Sequence, residues 1–514
     1  MTTADTYPKA TAREWIGLSV IALACLLYVM DLTVLHLAVP QLTAQLKPSS
    51  AQLLWIIDIY GFLVAGSLMT MGTLGDRIGR RKLLLIGAAL FGVTSVAAAF
   101  APTAEVLIVA RAALGVAGAT IAPSTLSLIR NMFHDPDERT TAVGIWITSF
   151  SAGAAVGPLL GGLVLEWFWW GAVFLLALPV MALLLVLGPI LLPEYRDPNA
   201  GKLDLLSAGL SLVAVLSVIF GLKQLAQDGP GLLPVASITL GVLTGTAFVR
   251  RQRRLTDPLI DLRLFETPAF SASLVVYMLG AFVVFGGFLY LPQYLQLVRG
   301  LSPLESGLWT LPWALAFVVG SNVTPWLIGR VPPVGLMAGG MLLAAAGVGA
   351  ITQVGPDTAF LPFALATTAF GLGLSPVFTL SVDLVISTAA PERAGAASGM
   401  AETGAELGGA LGIAIFGTIG TALYRTAMGG ALPSGVPAES AAAARDTLGG
   451  AMAVAATLPD GLGTELAGLA QSAYLQGMHF ASWVAALGCL VLAVFVLAAL
   501  RDAFVDGANS GGHP

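Results

Sequence analysis

The sequence predicts an all-α, polytopic membrane protein with fourteen transmembrane helices. Three observations carry this. Of 514 residues, 57% are hydrophobic and 10% charged, with a mean hydropathy of +0.87; soluble domains carry about 25% charged residues. Apolar runs of about 20 residues, the length that crosses a bilayer, recur along the whole chain. Lysine and arginine concentrate in alternate connecting segments.

The runs lie near 15–39, 52–73, 82–101, 105–129, 140–165, 169–192, 205–226, 232–250, 269–298, 306–328, 334–353, 359–387, 394–423 and 477–500. They are too many for a signal peptide or a single anchor. The first, behind a short polar start with Lys9 and Arg13, is read as a retained helix. An even number puts both termini on one side. With cytoplasmic termini, the inner segments hold 18 of the 24 Lys and Arg. The outer segments hold five: Lys47, Lys223, Arg299, Arg425 and Arg445. Arg111 stands inside a span. The positive-inside rule therefore sets cytoplasmic termini, in a multi-pass protein of the cell membrane.

The first two runs each contain a carboxylate, Asp31 and Asp58. The turn after the second run is GDRIGRR (75–81), and LIGRVPP (327–333) after the tenth echoes it. If the seventh and eighth runs are an insert, the plan is 6 + 2 + 6. The units are then 1–195, a 196–268 insert with its linker, and 269–514. The basic linker RRQRRLTDPLIDLRLFETP (250–268) is expected along the inner surface. Segment 424–476, rich in Ala, Gly, Ser and Pro, is expected as a short helical hairpin over the outer face, broken at Pro459-Asp460.

Other chemistries find no support. A P-loop is absent, so ATP is not expected to drive this protein. The four histidines lack metal-ligand spacing, and Cys25 and Cys489 lie in apolar runs at opposite ends of the chain. No enzyme, cofactor, metal or nucleic-acid signature is seen, and a monomer in the lipid bilayer is expected.

Four motifs resemble those of the major facilitator superfamily. GTLGDRIGRRKLL (72–84) is similar to its inner-loop signature. Gly75 and Gly79 permit a tight turn. The resemblance implies a cytoplasmic latch of Asp76, Arg77, Gly79 and Arg80, with Asp76 facing a helix N-terminus near Arg393-Ala394-Gly395. RAALGVAGATIAP (111–123) resembles the fourth-span motif with its intramembrane arginine. GAAVGPLLGG resembles the fifth-span antiporter motif and implies a pivot of Gly153, Gly157, Pro158, Gly161 and Gly162. MDLTVLHLAVP (30–40) resembles the first-span signature of the fourteen-helix drug:proton branch, with His36 in the usual place of asparagine. Segments spread over most of the chain, among them QLLWIIDIYGFLVAG and AGAASGMAETGAELGGALG, are similar to the quaternary-ammonium and biocide exporters of that branch, the QacA/SmvA group.

Five acids fall within the runs: Asp31, Asp58, Asp383, Glu402 and Glu406. An ionised carboxylate at mid-bilayer costs about 2.5–3.5 kcal/mol, less when it is protonated, paired or facing a wet cavity. Glu402 and Glu406, four residues apart, share one helix face. The resemblance implies that Asp31, Asp58, Glu402 and Glu406 couple protons to cationic cargo, with Arg111 pairing one of them. Asp383 lies nearer the cytoplasmic end. Tyr28, Trp55, Trp146, Phe285, Phe288, Trp309 and Trp313 are candidate walls for lipophilic cations. Phe317 stands where some family members carry an aspartate linked to divalent cations, which points to monovalent cargo. The expected function is proton-coupled efflux of lipophilic cations by alternating access. The alternatives are an exporter of one antibiotic or natural product, and a proton-coupled nutrient importer.

Overall fold

The computed structural model describes residues 8–196, 204–256, 258–260, 262–328, 330–388 and 394–500. Lys202, Gly329, Arg393 and Arg501 lie outside the described residues. In chain order the helices are α1 Ala12–Leu46, α2 Ser50–Ile78, α3 Arg80–Ala99, α4 Ala104–Met132, α5 Pro136–Trp167, α6 Ala172–Leu191, α7 Leu205–Asp228 and α8 Leu232–Gln252. They continue as α9 Pro268–Val298, α10 Pro303–Ile328, α11 Pro333–Gln353, α12 Phe360–Ser387, α13 Ala394–Ala431, α14 Ala438–Asp446, α15 Leu448–Ala455 and α16 Asp460–Ala499. Thirteen described helices are long and apolar enough to span a bilayer, and the bent α5 makes fourteen.

Helix starts follow local chemistry. Thr11 and Glu14 form a capping box before α1, and Ser49 and Gln52 form one before α2, so two orphan N–H groups are satisfied at each start. Gly79 alone joins α2 to α3. Its φ of 112° strains any residue with a side chain, and a Cβ there would stand 2.5 Å from Glu194 Oε1.

Helices α1–α6 pack mainly on one another, as do α9–α13 with α16. The two groups meet along two seams, α2 against α13 and α5 against α10. Helices α7 and α8 form a hairpin, and α7 leans on both α2 and α13 at the first seam.

Two expectations need correction. Lys223 does not belong to an outer loop. It is buried within α7, where a tertiary partner compensates its charge. The start of the 424–476 segment still belongs to α13, which runs to Ala431, and its middle forms two short helices, α14 and α15, parted at Thr447, whose hydroxyl accepts from Gly450 N. Its second half is no separate arm: after Pro459 it runs straight into the 40-residue α16. Proline at the helix start costs nothing, so the Pro459-Asp460 break opens the last span.

Candidate functional site

The site is built around α2. Its residues 56–58 lie between two buried cations delivered by different helices. On one side, Arg111 of α4 reaches Asp31 of α1, with Nη1 2.5 Å from Oδ2. The same guanidinium donates from Nε to the Ile56 carbonyl at 3.1 Å and from Nη2 to the Ile57 carbonyl at 3.4 Å. It also lies over the Tyr60 ring, 4.7 Å from the centroid. Asp31 and Arg111 are both buried, so the pair is charge-matched and hydrogen-bonded within low-dielectric surroundings.

On the other side, Asp58 meets Lys223 of α7, with Nζ 2.8 Å from Oδ2 and 3.9 Å from the Trp55 ring centroid. This partner escapes a sequence reading. The available signal was a lone lysine inside the apolar run 205–226, of the same kind as the lone Asp58.

From the Tyr60 ring under Arg111, two hydrogen bonds lead toward the second group of helices. Tyr60 Oη donates to the Tyr28 carbonyl at 3.4 Å. Tyr28 Oη donates to Glu406 Oε1 of α13 at 2.7 Å. Asp58 and Glu406 line one small cavity with Phe285, about 20 Å³, room for a single water. Glu402, one turn earlier on α13, lines a larger cavity of about 460 Å³. That cavity opens at the end of the molecule bearing the GDRIGRR turn, among Asp76, Arg80, Arg130 and Trp146.

Asp383 is exposed near the end of α12 and stands apart from this cluster. The aromatic candidates divide. Tyr28, Trp55, Trp146 and Phe285 touch the acids or their cavities. Phe288, Trp313 and Phe317 form a ring ladder that runs from His36 to Phe378, with centroid spacings of 5.4–6.0 Å. Trp313 Nε1 has no hydrogen-bond partner among the described residues. Trp309 packs on Phe360 and Phe363 beneath the Arg299 guanidinium, away from the carboxylates.

The glycine motif of α5 is a contact surface. Gly153, Gly157 and Gly161 recur every four residues and so share one face. A Cβ at these positions would collide with Leu26, Thr33 and Val34 of α1 respectively. Gly162 faces α10 instead, where a Cβ would stand 2.6 Å from the Pro303 carbonyl oxygen. Thr141–Ala154 and Val156–Trp167 meet at a 41° bend. Pro158 has no N–H for the Ala154 carbonyl, which permits this bend.

In the GDRIGRR turn, Asp76 pairs with Arg80 at 2.5 Å, and Arg80 Nη1 donates to the Pro123 carbonyl. Arg81 holds Glu194, and Arg77 is exposed. The helix expected opposite Asp76 is α13, which begins at Ala394, next to Arg393 that lies outside the described residues.

The family model for the Major Facilitator Superfamily matches residues 21–413. The chain belongs to the Major Facilitator Superfamily. It is 41% identical over 493 residues to the multidrug efflux pump LfrA of Mycolicibacterium smegmatis, covering 96% of this chain and 97% of that one. It is 35% identical over 484 residues to the methyl viologen resistance protein SmvA of Salmonella typhimurium, covering 94% and 97%. The tetracenomycin C resistance and export protein of Streptomyces glaucescens is 34% identical over 94% of this chain and 91% of its own length. Among solved structures, an inward-facing bacterial homologue of the lysosomal transporter Spinster superposes with a TM-score of 0.66 at 19% identity, over 96% and 98% of the two chains. A multi-pass membrane transporter of this superfamily, not an enzyme, is the class that sequence, fold and relatives share.

Proposed function

We propose that this transporter exports lipophilic cationic compounds from the cytoplasm in exchange for protons, by alternating access. The observation that carries the reading is the line of four carboxylates on the three helices α1, α2 and α13, joined across the seam by Tyr28 and Glu406. An ionised acid in hydrocarbon carries a cost that a proton, a cationic guest or, for Asp31 and Asp58, the paired Arg111 or Lys223 removes. That shared preference is what an exchanger needs.

The cavity under Glu402 supports an inward-facing state if the basic GDRIGRR end is cytoplasmic, as the lysine and arginine distribution favours. The opposite end is closed where α5 meets α10, and where Gln296 Nε2 donates to the Leu37 carbonyl at 2.9 Å. The names of LfrA and SmvA support drug efflux. The ring ladder at Phe317, in place of a further carboxylate, supports a preference for monovalent cargo; tight binding of a bisguanidine would contradict that detail. The tetracenomycin relative supports a second reading, a neutral natural product as cargo.

The test is transport by purified protein in liposomes with an acidic lumen. Ethidium should accumulate inside, against its gradient, as protons leave, and Glu406→Gln should stop the uphill movement. Ethidium moving in the same direction as the protons would point to an importer. Unimpaired accumulation by Glu406→Gln would remove the proposed coupling.

A further inference from the structure

Lys223 belongs to α7, which lies in neither six-helix group and takes no part in the exchange chemistry proposed above. Yet its ammonium is buried at the seam, on the carboxylate of Asp58 and the face of Trp55. A carboxylate beside the face of an indole is the chemistry by which a protein takes an organic cation. Here the chain's own ammonium fills that place.

The pair is not fully satisfied. Nζ stands 2.8 Å from Oδ2, but among the described residues no other side chain hydrogen-bonds either Asp58 oxygen or Nζ. A buried ion pair whose remaining donors and acceptors lack such further bonds gains little over its desolvation cost. Its exchange for another cation is then close to balanced. Lysine suits that part, being a point charge on a flexible four-carbon stem. On its far side Asp58 faces the small cavity shared with Phe285 and Glu406, so a guest that enlarges this cavity meets the same carboxylate.

We propose that Lys223 is a tethered counter-cation, holding the Asp58–Trp55 subsite until a lipophilic monocation displaces it. The inserted hairpin α7–α8 thereby sets which cations the subsite accepts. This rests on the reading of the protein as a cation exporter.

The test is equilibrium binding of tetraphenylphosphonium to the full-length protein in lipid nanodiscs, at one pH, for wild type, Lys223→Gln and Lys223→Arg. A tether that occupies the subsite nine-tenths of the time weakens apparent affinity about tenfold. Lys223→Gln should therefore bind about tenfold more tightly than wild type, while Lys223→Arg, which keeps the charge, should not gain. Wild-type binding with equal or weaker binding by folded Lys223→Gln overturns the tether and leaves the exporter reading intact. If neither protein binds, both fall. A second measurement needs no variant. Saturating tetraphenylphosphonium should raise reductive methylation at Lys223 several-fold, with the exposed Lys9, Lys47 and Lys82 unchanged. Labelling at Lys223 that stays flat with the cation bound overturns the proposal.

Discussion

Tyr28 and Glu406 are 378 residues apart in sequence and 2.7 Å apart in space, a phenolic hydroxyl of α1 donating to a carboxylate of α13. An intramolecular hydrogen bond contributes about 0.5–1.5 kcal/mol net. This one crosses the seam between the two six-helix groups, so it stabilises the state in which they are apposed here. Tyr28→Phe should shift the conformational equilibrium away from this state by about two- to tenfold. Distances between spin labels placed at the two ends of the molecule would report the shift. An unchanged distance distribution would mean that the bond is neutral to the exchange of states.

The Asp31–Arg111 pair lends itself to a mutant cycle. Removing one member of a buried pair strands the other charge, at a cost of about 3–5 kcal/mol. Arg111→Gln should therefore unfold at a clearly lower temperature in detergent. The double variant Asp31→Asn/Arg111→Gln should recover most of that loss and still fail to drive uphill export. Asp31→Asn alone should stay folded, because Arg111 keeps the Ile56 and Ile57 carbonyls, and it too should lose uphill export. Recovery of transport by the double variant would show that the charges serve the fold alone.

The α5 glycines make a steric forecast. Gly157→Val places a branched side chain against Thr33 and Met30 of α1. Overpacking of this kind costs about 1–3 kcal/mol, and transport should fall with it. Gly144→Ala, on the same helix with nothing within 4 Å of its added Cβ, should transport normally. Equal behaviour of the two variants would discard the close α1–α5 contact as a requirement for transport.

How much of this was open to a reading of the sequence differs from residue to residue. Spans are legible because their length and apolarity are local properties, and the α5 motif is legible because spacing of four defines a face. Pairing is not local. Nothing in the run around Lys223 names Asp58, 165 residues earlier, and a lone cation near the end of an apolar run has the local signature of a loop charge. Arg111 was recognisable as a partner for an acid, but the choice of Asp31 over Asp58 needed the packing of α4 against α2. Trp309 shows the converse. Its residue type suggested a cation wall, whereas its neighbours are Phe360, Phe363 and Arg299. The α14–α15 turn was half legible: helical composition was visible, but the fusion of 460–476 onto the last span depends on Pro459 starting a helix.

Outside the membrane, Asp204 caps α7. Partial burial raises the cost of its charge, but hydrogen bonds from the Ser207 hydroxyl and backbone N–H and from Arg251 outweigh this and hold its carboxyl below the ordinary range. A depressed folded value means stability that is fully present above the unfolded value of about 4 and is lost as pH falls through the folded one. Asp204→Asn should therefore melt below wild type at neutral pH, and the gap should close in acid. A gap that persists unchanged under acid conditions would assign the effect to packing rather than charge.

The central claim is that proton and cationic guest compete for the same carboxylates. The most direct measurement is proton release from purified protein in weakly buffered detergent when tetraphenylphosphonium is added. We expect protons to appear in the medium as the cation binds, and the release to shrink in Glu406→Gln. Saturable binding of the cation with no proton released, at any pH from 5 to 9, would contradict it.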